Sequence, residues 1–429
     1  MGAGSRNYLH PLTPMHIVFY SPQTLPSIGG LQYVVHYWAE ALCSLGHTIT
    51  IITETPETPA NDTPLRLRAS ACQKKPPGKN NTPGKNNCQI LRNVSFAQQV
   101  RAMRAADKVL LFNVSLKGLP AILLSGTPIY ITHHTALWYP DGPRPFRQRL
   151  KQWVANHLAK CNCACSNYIA SLYKKCRVIH SPYRADIFVP GTEVRKPGSI
   201  LFAGRLVSDK GADILIEAFA RLLQEGLNIC LTIIGDGPDR EKLEQLAMKP
   251  GLWAGVATSH SSGGEEGASN ESEPQRGDSS QPGLQASAFA GTHVVAENVS
   301  PNAYKLSINQ RINRSAITFT GPLSQPHLAY QMQTHQIMVV PSRMEPMGMV
   351  IAEGLACGCH MVVSNQGGMP EVGGKFCRYF ESGNVDSLVE ALSMELTNPL
   401  PVDANLLQEH LVKFTIEHTT QQLEKWLEG

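Results

Sequence analysis

Two successive series of short apolar runs, each run parted from the next by a helix-spaced pattern, constrain this chain more than any other feature. The first opens with MHIVFY (Met15 to Tyr20). Apolar positions Leu31, Val34, Val35, Trp38, Leu42 and Leu45 then follow at helical spacing, and TITIIT starts at Thr48. Together they read as a βαβ unit. Further strands are predicted at KVLLFN from Lys108, IYIT from Ile129, CNCAC from Cys161 and RVI from Arg177. The second series begins with SILFAG at Ser199 and continues with a helix from about Ala212 to Glu225, then ICLTIIG from Ile229. A helix around Arg240 to Ala247 and strands from Ile317, Ile337 and His360 complete it. Strands apolar on both faces, alternating with amphipathic helices, need parallel sheets covered on both sides. The prediction is an α/β chain of two Rossmann-like domains whose parallel sheets face each other across a cleft, as 429 residues exceed what one core usually supports.

The expected division is residues 1–190 as an N-terminal domain and 191–404 as a C-terminal domain. Residues 405–429 then form a helical segment packing back on the first domain through Leu407, Leu411, Phe414, Trp426 and Leu427. Two stretches break the rhythm. Cys72 to Cys88 holds PGKNN twice and reads as a polar loop, and 251–314 reads as a low-complexity insertion whose Ser, Gly and Glu content cannot bury a core.

Charge is uneven. The first 198 residues hold 23 Lys and Arg against 8 Asp and Glu, whereas the remainder hold 15 against 26. The basic half should attract anions. Without a nucleic-acid module or an aromatic-interleaved basic strip, an anionic membrane surface or an anionic substrate is the expected partner, and nucleic acid is not. In PRPFRQRLKQWVANHLAK, Phe146, Leu150, Trp153, Val154 and Leu158 share a helical face, read as packed on its own domain. No apolar stretch approaches the ~20 residues that span a bilayer, and no signal-peptide core is evident, so a cytoplasmic location is expected, with peripheral attachment to the inner face of the membrane as an extension. Eleven cysteines, an odd number, argue against a disulfide framework. Cys161, Cys163 and Cys165 alternate as a strand with one buried face would, and lack CxxC spacing, so no metal is assigned to them.

The chemistry-bearing residues cluster at predicted strand ends. FAGRLVSDKGADILIEAF puts Gly204, Arg205 and Lys210 between a strand and a helix, the edge where open α/β sheets bind ligands, with a forked cation and a point cation suited to a diphosphate. IIGDGP carries Gly235 and Gly237 at the next edge, but Pro238 and a missing third glycine exclude a dinucleotide fingerprint. Glu345 and Glu353 stand eight positions apart around Pro-Met-Gly. That separation disfavours a hydrolytic pair, whose carboxyls lie about 5 to 9.5 Å apart. A helix starting near Gly348 would aim free N–H groups at an anion. Gly29 and Gly30 prepare a similar helix start in the first half. Of His133 and His134, adjacent on a strand, one at most can line the cleft.

Taken together, GGLQYVVHYWAEALCSLGH, LFAGRLVSDKGADILIEAF, IIGDGPDREKLEQL, VVPSRMEPMGMVIAEGLACG and SNQGGMPEV resemble, in order, the motifs of glycosyltransferase family 4, retaining nucleotide-sugar enzymes of the GT-B fold. The resemblance covers most of the chain outside the two low-complexity stretches and the first dozen residues. It implies that Arg205 and Lys210 neutralise the donor diphosphate, that Glu353 holds the ribose, and that Glu345 lies beside the transferred sugar. By the same resemblance the N–H groups after Met347, at Gly348, Met349 and Val350, complete the phosphate cradle. Gly29, Gly30, Gly204, Gly235 and Gly237 shape the donor loops, and His134 contacts the donor sugar. The implied catalytic set is His134, Arg205, Lys210 and Glu345. Neither an obligatory metal nor another cofactor is implied. The acceptor, a glycan, a lipid-linked molecule or a small molecule, would meet the N-terminal domain. Met347, where an aromatic residue is usual, and Gly354, where alanine is usual, depart from the pattern. A GT-B epimerase or phosphorylase, or a noncatalytic nucleotide-binding protein, remain open alternatives.

Overall fold

The computed structural model describes residues 13–25, 29–56, 88–137, 142–249 and 316–429. The PGKNN repeats and the 251–314 insertion lie outside them. In chain order the first half runs β1 (His16–Tyr20), α1 (Gly30–Ser44), β2 (Thr48–Thr53), β3 (Cys88–Arg92), α2 (Phe96–Arg104), β4 (Lys108–Phe112) and α3 (Leu119–Ser125). It continues with β5 (Ile129–His133), α4 (Phe146–Leu158), β6 (Cys161–Ala164), α5 (Asn167–Ala170) and β7 (Cys176–Val178). The second half runs β8 (Lys196–Ala203), α6 (Ala212–Gln224), β9 (Cys230–Ile234), α7 (Arg240–Met248), β10 (Ile317–Gly321), α8 (Gln325–Thr334), β11 (His335–Val340) and α9 (Met349–Ala356). After it come β12 (His360–Ser364), α10 (Met369–Gly373), β13 (Cys377–Phe380), α11 (Val385–Thr397), α12 (Ala404–Val412) and α13 (Ile416–Glu428).

Two all-parallel sheets result, ordered β3-β2-β1-β4-β5-β6-β7 and β10-β9-β8-β11-β12-β13. Strand order reverses between β1 and β4 in one sheet and between β8 and β11 in the other. Loops leaving the carboxyl ends at such reversals diverge and open a crevice. The loop after β1 carries Gly29 and Gly30, the loop after β8 carries Arg205 and Lys210, and the loop after β11 carries Glu345. In the second sheet the topology alone therefore gathers Arg205 and Glu345, which lie 140 positions apart in the sequence.

Three features differ from the sequence reading. β3 and β13 were not anticipated: CQILR and CRYF are short and only partly apolar, and their strand identity comes from pairing with β2 and β12 at the sheet edges. On β6, Asn162 is buried as well as Cys163, because the strand is covered on both sides. Asn162 Nδ2 donates to the Ala155 carbonyl at 2.8 Å, and Oδ1 lies 3.0 Å from His133 Nε2. Nor does the apolar stripe of α4 pack inward as a whole. Val154 and Ala155 are buried, while Phe146 is 80% exposed and Trp153 51%. At 3.6 residues per turn Phe146, Leu150 and Trp153 fall on one line, and Val154 and Ala155 lie roughly a quarter to half a turn away from it.

The chain end closes the first sheet. Trp38 Nε1 donates to Thr419 Oγ1 at 3.2 Å, and the Trp426 ring meets Tyr130 edge-on at 5.1 Å between centroids. His47 Nδ1 accepts the Met15 N–H at 3.2 Å, which leaves Nε2 to donate to Glu424 Oε1 at 2.9 Å. Leu423 and Leu427 are fully buried in the same cluster as Ile17, Phe19 and Trp38.

Candidate active site

One wall of the crevice is built from the loops after β8, β9 and β11. Leu206 N donates to the Asp236 carbonyl at 2.9 Å and Asp239 N to the Leu206 carbonyl at 3.0 Å, so the loops bearing Arg205 and Gly235 are laced together. Gly235 has φ +135°, and a Cβ there would fall 1.8 Å from the Gly204 carbonyl oxygen. A Cβ at Gly237 would fall 2.3 Å from the Leu206 carbonyl oxygen, so the glycines at 235 and 237 keep the two loops, the first of which carries Gly204, in contact. Arg343 fixes the third loop: its guanidinium takes both oxygens of Asp213 at 2.8 and 2.7 Å and also donates to the Ser208 carbonyl at 2.6 Å. This brings the Lys210 ammonium onto Glu345, with which it forms an ion pair. Arg205 is exposed, and among the described residues its side chain has no hydrogen-bond or ion-pair partner.

Glu345 and Glu353 do not share a helix. Gly348 sits at φ +87° as the N-cap of α9, so the chain turns sharply between them and the helix begins at Met349. Glu353 is buried without a hydrogen bond to its carboxyl among the described residues, and burial pushes its pKa up to about 7. The absence of alanine at 354 has a physical cause. A Cβ at Gly354 would stand 2.7 Å from Met361 Sδ and 3.0 Å from Met338 Sδ, so two large thioethers occupy the room a methyl would need.

The opposite wall is α1 and the end of β5. The start of α1 meets the start of α9: an added Cβ at Gly30 would be 3.6 Å from Met349 Sδ. Two helix N-termini therefore converge, each with free N–H groups and the positive end of its dipole. Tyr33 and Tyr37 on α1 lie within the electrostatic reach of Glu353. His133 and His134 point apart as the strand period requires. His133 stacks on Tyr173 at 3.6 Å. His134 lies against Phe112 and Trp38, with Nε2 2.9 Å from Thr132 Oγ1 and Nδ1 3.0 Å from Ser181 Oγ. Its burial lowers its pKa to about 3, so the ring is neutral, and both nitrogens are engaged within the protein.

Contacts across the crevice involve residues that the sequence reading did not single out. Ser166 Oγ donates to the Pro346 carbonyl at 2.6 Å. The Glu371 carboxylate accepts from the backbone N–H and the side-chain amide of Asn167, both at 2.7 Å. Ser181 N donates to Met347 Sδ at 3.2 Å, and Gln325 Nε2 donates to Tyr37 Oη. Met347, where an aromatic residue is usual in the family pattern, is thus buried and tied to the opposite half. Only the PE dipeptide after two glycines hinted at Glu371; nothing in the sequence marks Ser166.

Two parallel α/β sheets with facing switch-point crevices, cationic and glycine-bearing loops on one side and a helix start on the other, define the GT-B architecture. Comparison with known proteins agrees. The model of the family described as Glycosyltransferase Family 4 matches residues 28–185, and models described as Glycosyl transferases group 1 match residues 184–265 and 288–398. Among curated proteins the chain is similar to a D-inositol 3-phosphate glycosyltransferase of Mycobacterium avium, 30% identical over 129 residues. That match spans 29% of this chain and 30% of the relative's length. A crystal structure of Anabaena Alr3699/HepE in complex with UDP and glucose superposes with a TM-score of 0.64 at 15% identity, covering 97% of this chain and all of that one. Sucrose-phosphate synthase from Thermosynechococcus elongatus gives 0.63 at 15% identity, over 96% and 98% of the two chains. The three family models follow one another along the chain and support a glycosyltransferase of the family 4 type.

Proposed function

We propose that the protein transfers a glycosyl residue from a nucleoside-diphosphate sugar to an acceptor hydroxyl, on a glycan, a lipid-linked molecule or a small molecule, with retention at the anomeric carbon. The observation that carries this reading is the convergence of two helix N-termini with Arg205 and the Lys210–Glu345 pair, beside a buried carboxyl that has no hydrogen-bond partner among the described residues. A diphosphate satisfies the helix ends and the cations. Ribose hydroxyls would supply the donors that Glu353 lacks. The spacing between Glu345 and Glu353 then fits a ligand with a sugar at one end and a nucleoside at the other.

In the transfer, the bond from the anomeric carbon to the β-phosphate oxygen breaks and the nucleoside diphosphate leaves with the electron pair. The acceptor oxygen bonds to the same face, and its proton passes to the leaving phosphate oxygen. Negative charge grows on that oxygen as the bond breaks, and Arg205, Lys210 and the N–H groups of the α9 start would stabilise it. This reading needs no metal, and activity unchanged by a chelator is its expected consequence. His134 acts here by shaping the wall beneath the sugar, its ring held by Thr132 and Ser181.

A thermal-shift panel of UDP, GDP, ADP and their sugars tests the reading, with UDP first because the Anabaena neighbour was crystallised with it. Ligand at a hundredfold over its dissociation constant adds about 2.7 kcal/mol to stability. No shift with any of them would remove the donor site. NMR of the first product anomer separates retention from inversion.

A further inference from the structure

We propose that the exposed face of α4, together with the turn before β7, docks this protein onto an anionic lipid bilayer. Two independent observations support it. The first is chemical: residues 142–185 contain nine Lys and Arg and no Asp or Glu. The second is geometric. Phe146, Leu150 and Trp153 line a groove of about 450 Å³ whose other walls include Arg149, His157 and Lys174. Apolar and cationic side chains therefore share one surface.

That surface is rigid. Gln152 Nε2 donates to the Leu172 carbonyl, and Lys174 N donates to Asn156 Oδ1 at 2.9 Å, so helix and turn are fastened to each other. Val154 and Ala155 anchor the helix from beneath. A bilayer matches each part of this face. Phe146, Leu150 and Trp153 can enter the boundary between headgroups and acyl chains, where Trp is favoured, while Arg and Lys meet the lipid phosphates. A single-stranded nucleic acid matches it less well. One face of Trp153 is already stacked on His157 at 5.0 Å, and Leu150 offers no surface for a base to stack on.

Orientation follows from topology. α4 leaves the carboxyl end of β5 and returns antiparallel to the strands to reach β6. Its N-terminal end, where Phe146 projects, therefore lies toward the rim of the crevice. Docking through this face sets the crevice beside the membrane. Resting on the transferase reading above, that position favours a lipid-linked acceptor; the docking itself does not depend on that reading.

The test is flotation of the full chain with vesicles of phosphatidylcholine alone and of phosphatidylcholine with about a third phosphatidylglycerol, at low and high NaCl. Binding is expected only to the anionic vesicles and to weaken with salt. Each cation that meets the surface contributes about fivefold, so Arg149→Gln with Lys174→Gln should weaken binding about 25-fold. Phe146→Ser with Trp153→Ser should lose binding at salt concentrations where the parent still floats. All four side chains project from the surface, and unchanged thermal unfolding of both variants checks that they fold. Equal binding to neutral and anionic vesicles, or variants that float like the parent, would overturn the proposal. UDP-induced thermal shifts measured on the same variants should match the parent, which separates failure of the docking surface from failure of the donor site.

Discussion

Lys210 and Glu345 form an ion pair between loops that leave different strands of the second sheet. Each holds the other in the half-buried wall of the crevice until a ligand arrives. On the transferase reading proposed above, a diphosphate and Glu345 would then compete for one ammonium group. Lys210→Ala should weaken nucleoside-diphosphate binding and lower kcat/KM by about a hundredfold or more. Glu345→Gln should leave nucleotide affinity equal or higher, since the ammonium is released, while transfer is lost. Calorimetric titration with the nucleotide beside a transfer assay checks the opposite signs.

Glu353 gives the site a pH dependence whose sign is fixed. Its carboxyl is raised from an ordinary 4.5 to about 7 by burial. The folded state then binds more protons than the unfolded chain between those values, so stability falls as pH rises from about 4.5 to 7 and is level above. Glu353→Gln should therefore stabilise the protein at pH 8 by on the order of 3 kcal/mol, with little effect at pH 4. If Glu353 holds the ribose as proposed, the parent's affinity for the nucleotide should rise through pH 7, because the ionised carboxylate is the better acceptor for the ribose hydroxyls. That rise should be flat in the variant. Melting curves and titrations at pH 5, 6, 7 and 8 measure both.

Gly354→Ala adds a residue common in the family pattern to a site where two methionine side chains must shift to admit it. Helix propensity favours Ala by ~1 kcal/mol, but the methyl would press on Met361 and Met338. A net destabilisation of about 1 to 2 kcal/mol is expected. Met361→Val in the same chain should recover part of it, and a double-mutant cycle by denaturant titration reads the coupling.

The last helix holds the first sheet as a core element. Leu423→Ala should cost about 2 to 5 kcal/mol, since Leu423 is fully buried among Ile17, Phe19 and Trp38. Trp426→Ala, which removes the ring packed edge-on against Tyr130, should cost as much. Both are read by urea unfolding followed in the far ultraviolet.

Much of this was legible in the sequence because central parallel strands are covered on both faces and write themselves as unbroken apolar runs. β1, β4, β9 and β12 all do so. The edge strands β3 and β13 do not, since their identity depends on a neighbour rather than on their own composition. The site followed the same division. Arg205, Lys210 and Glu345 stand in loops whose glycines mark them, and Glu353 in the short helix that follows Gly348. Ser166, Arg343 and Glu371 matter through partners 180, 130 and 204 positions away, a relation that no local pattern encodes. The stripe of α4 was misread for a related reason: periodicity gives the direction of a helix face, whereas how far the core reaches round the helix depends on its neighbours.

The chain passes between its two halves twice, once after Tyr183 and again near Phe414. Those passages lie side by side, with Tyr183 N donating to the Phe414 carbonyl at 2.9 Å and an isolated parallel bridge from Tyr183 to Thr415. A connection made of one strand can swivel in any direction. Two connections fastened to each other at one point constrain the two halves more than either would alone, because neither passage can move without drawing on the other.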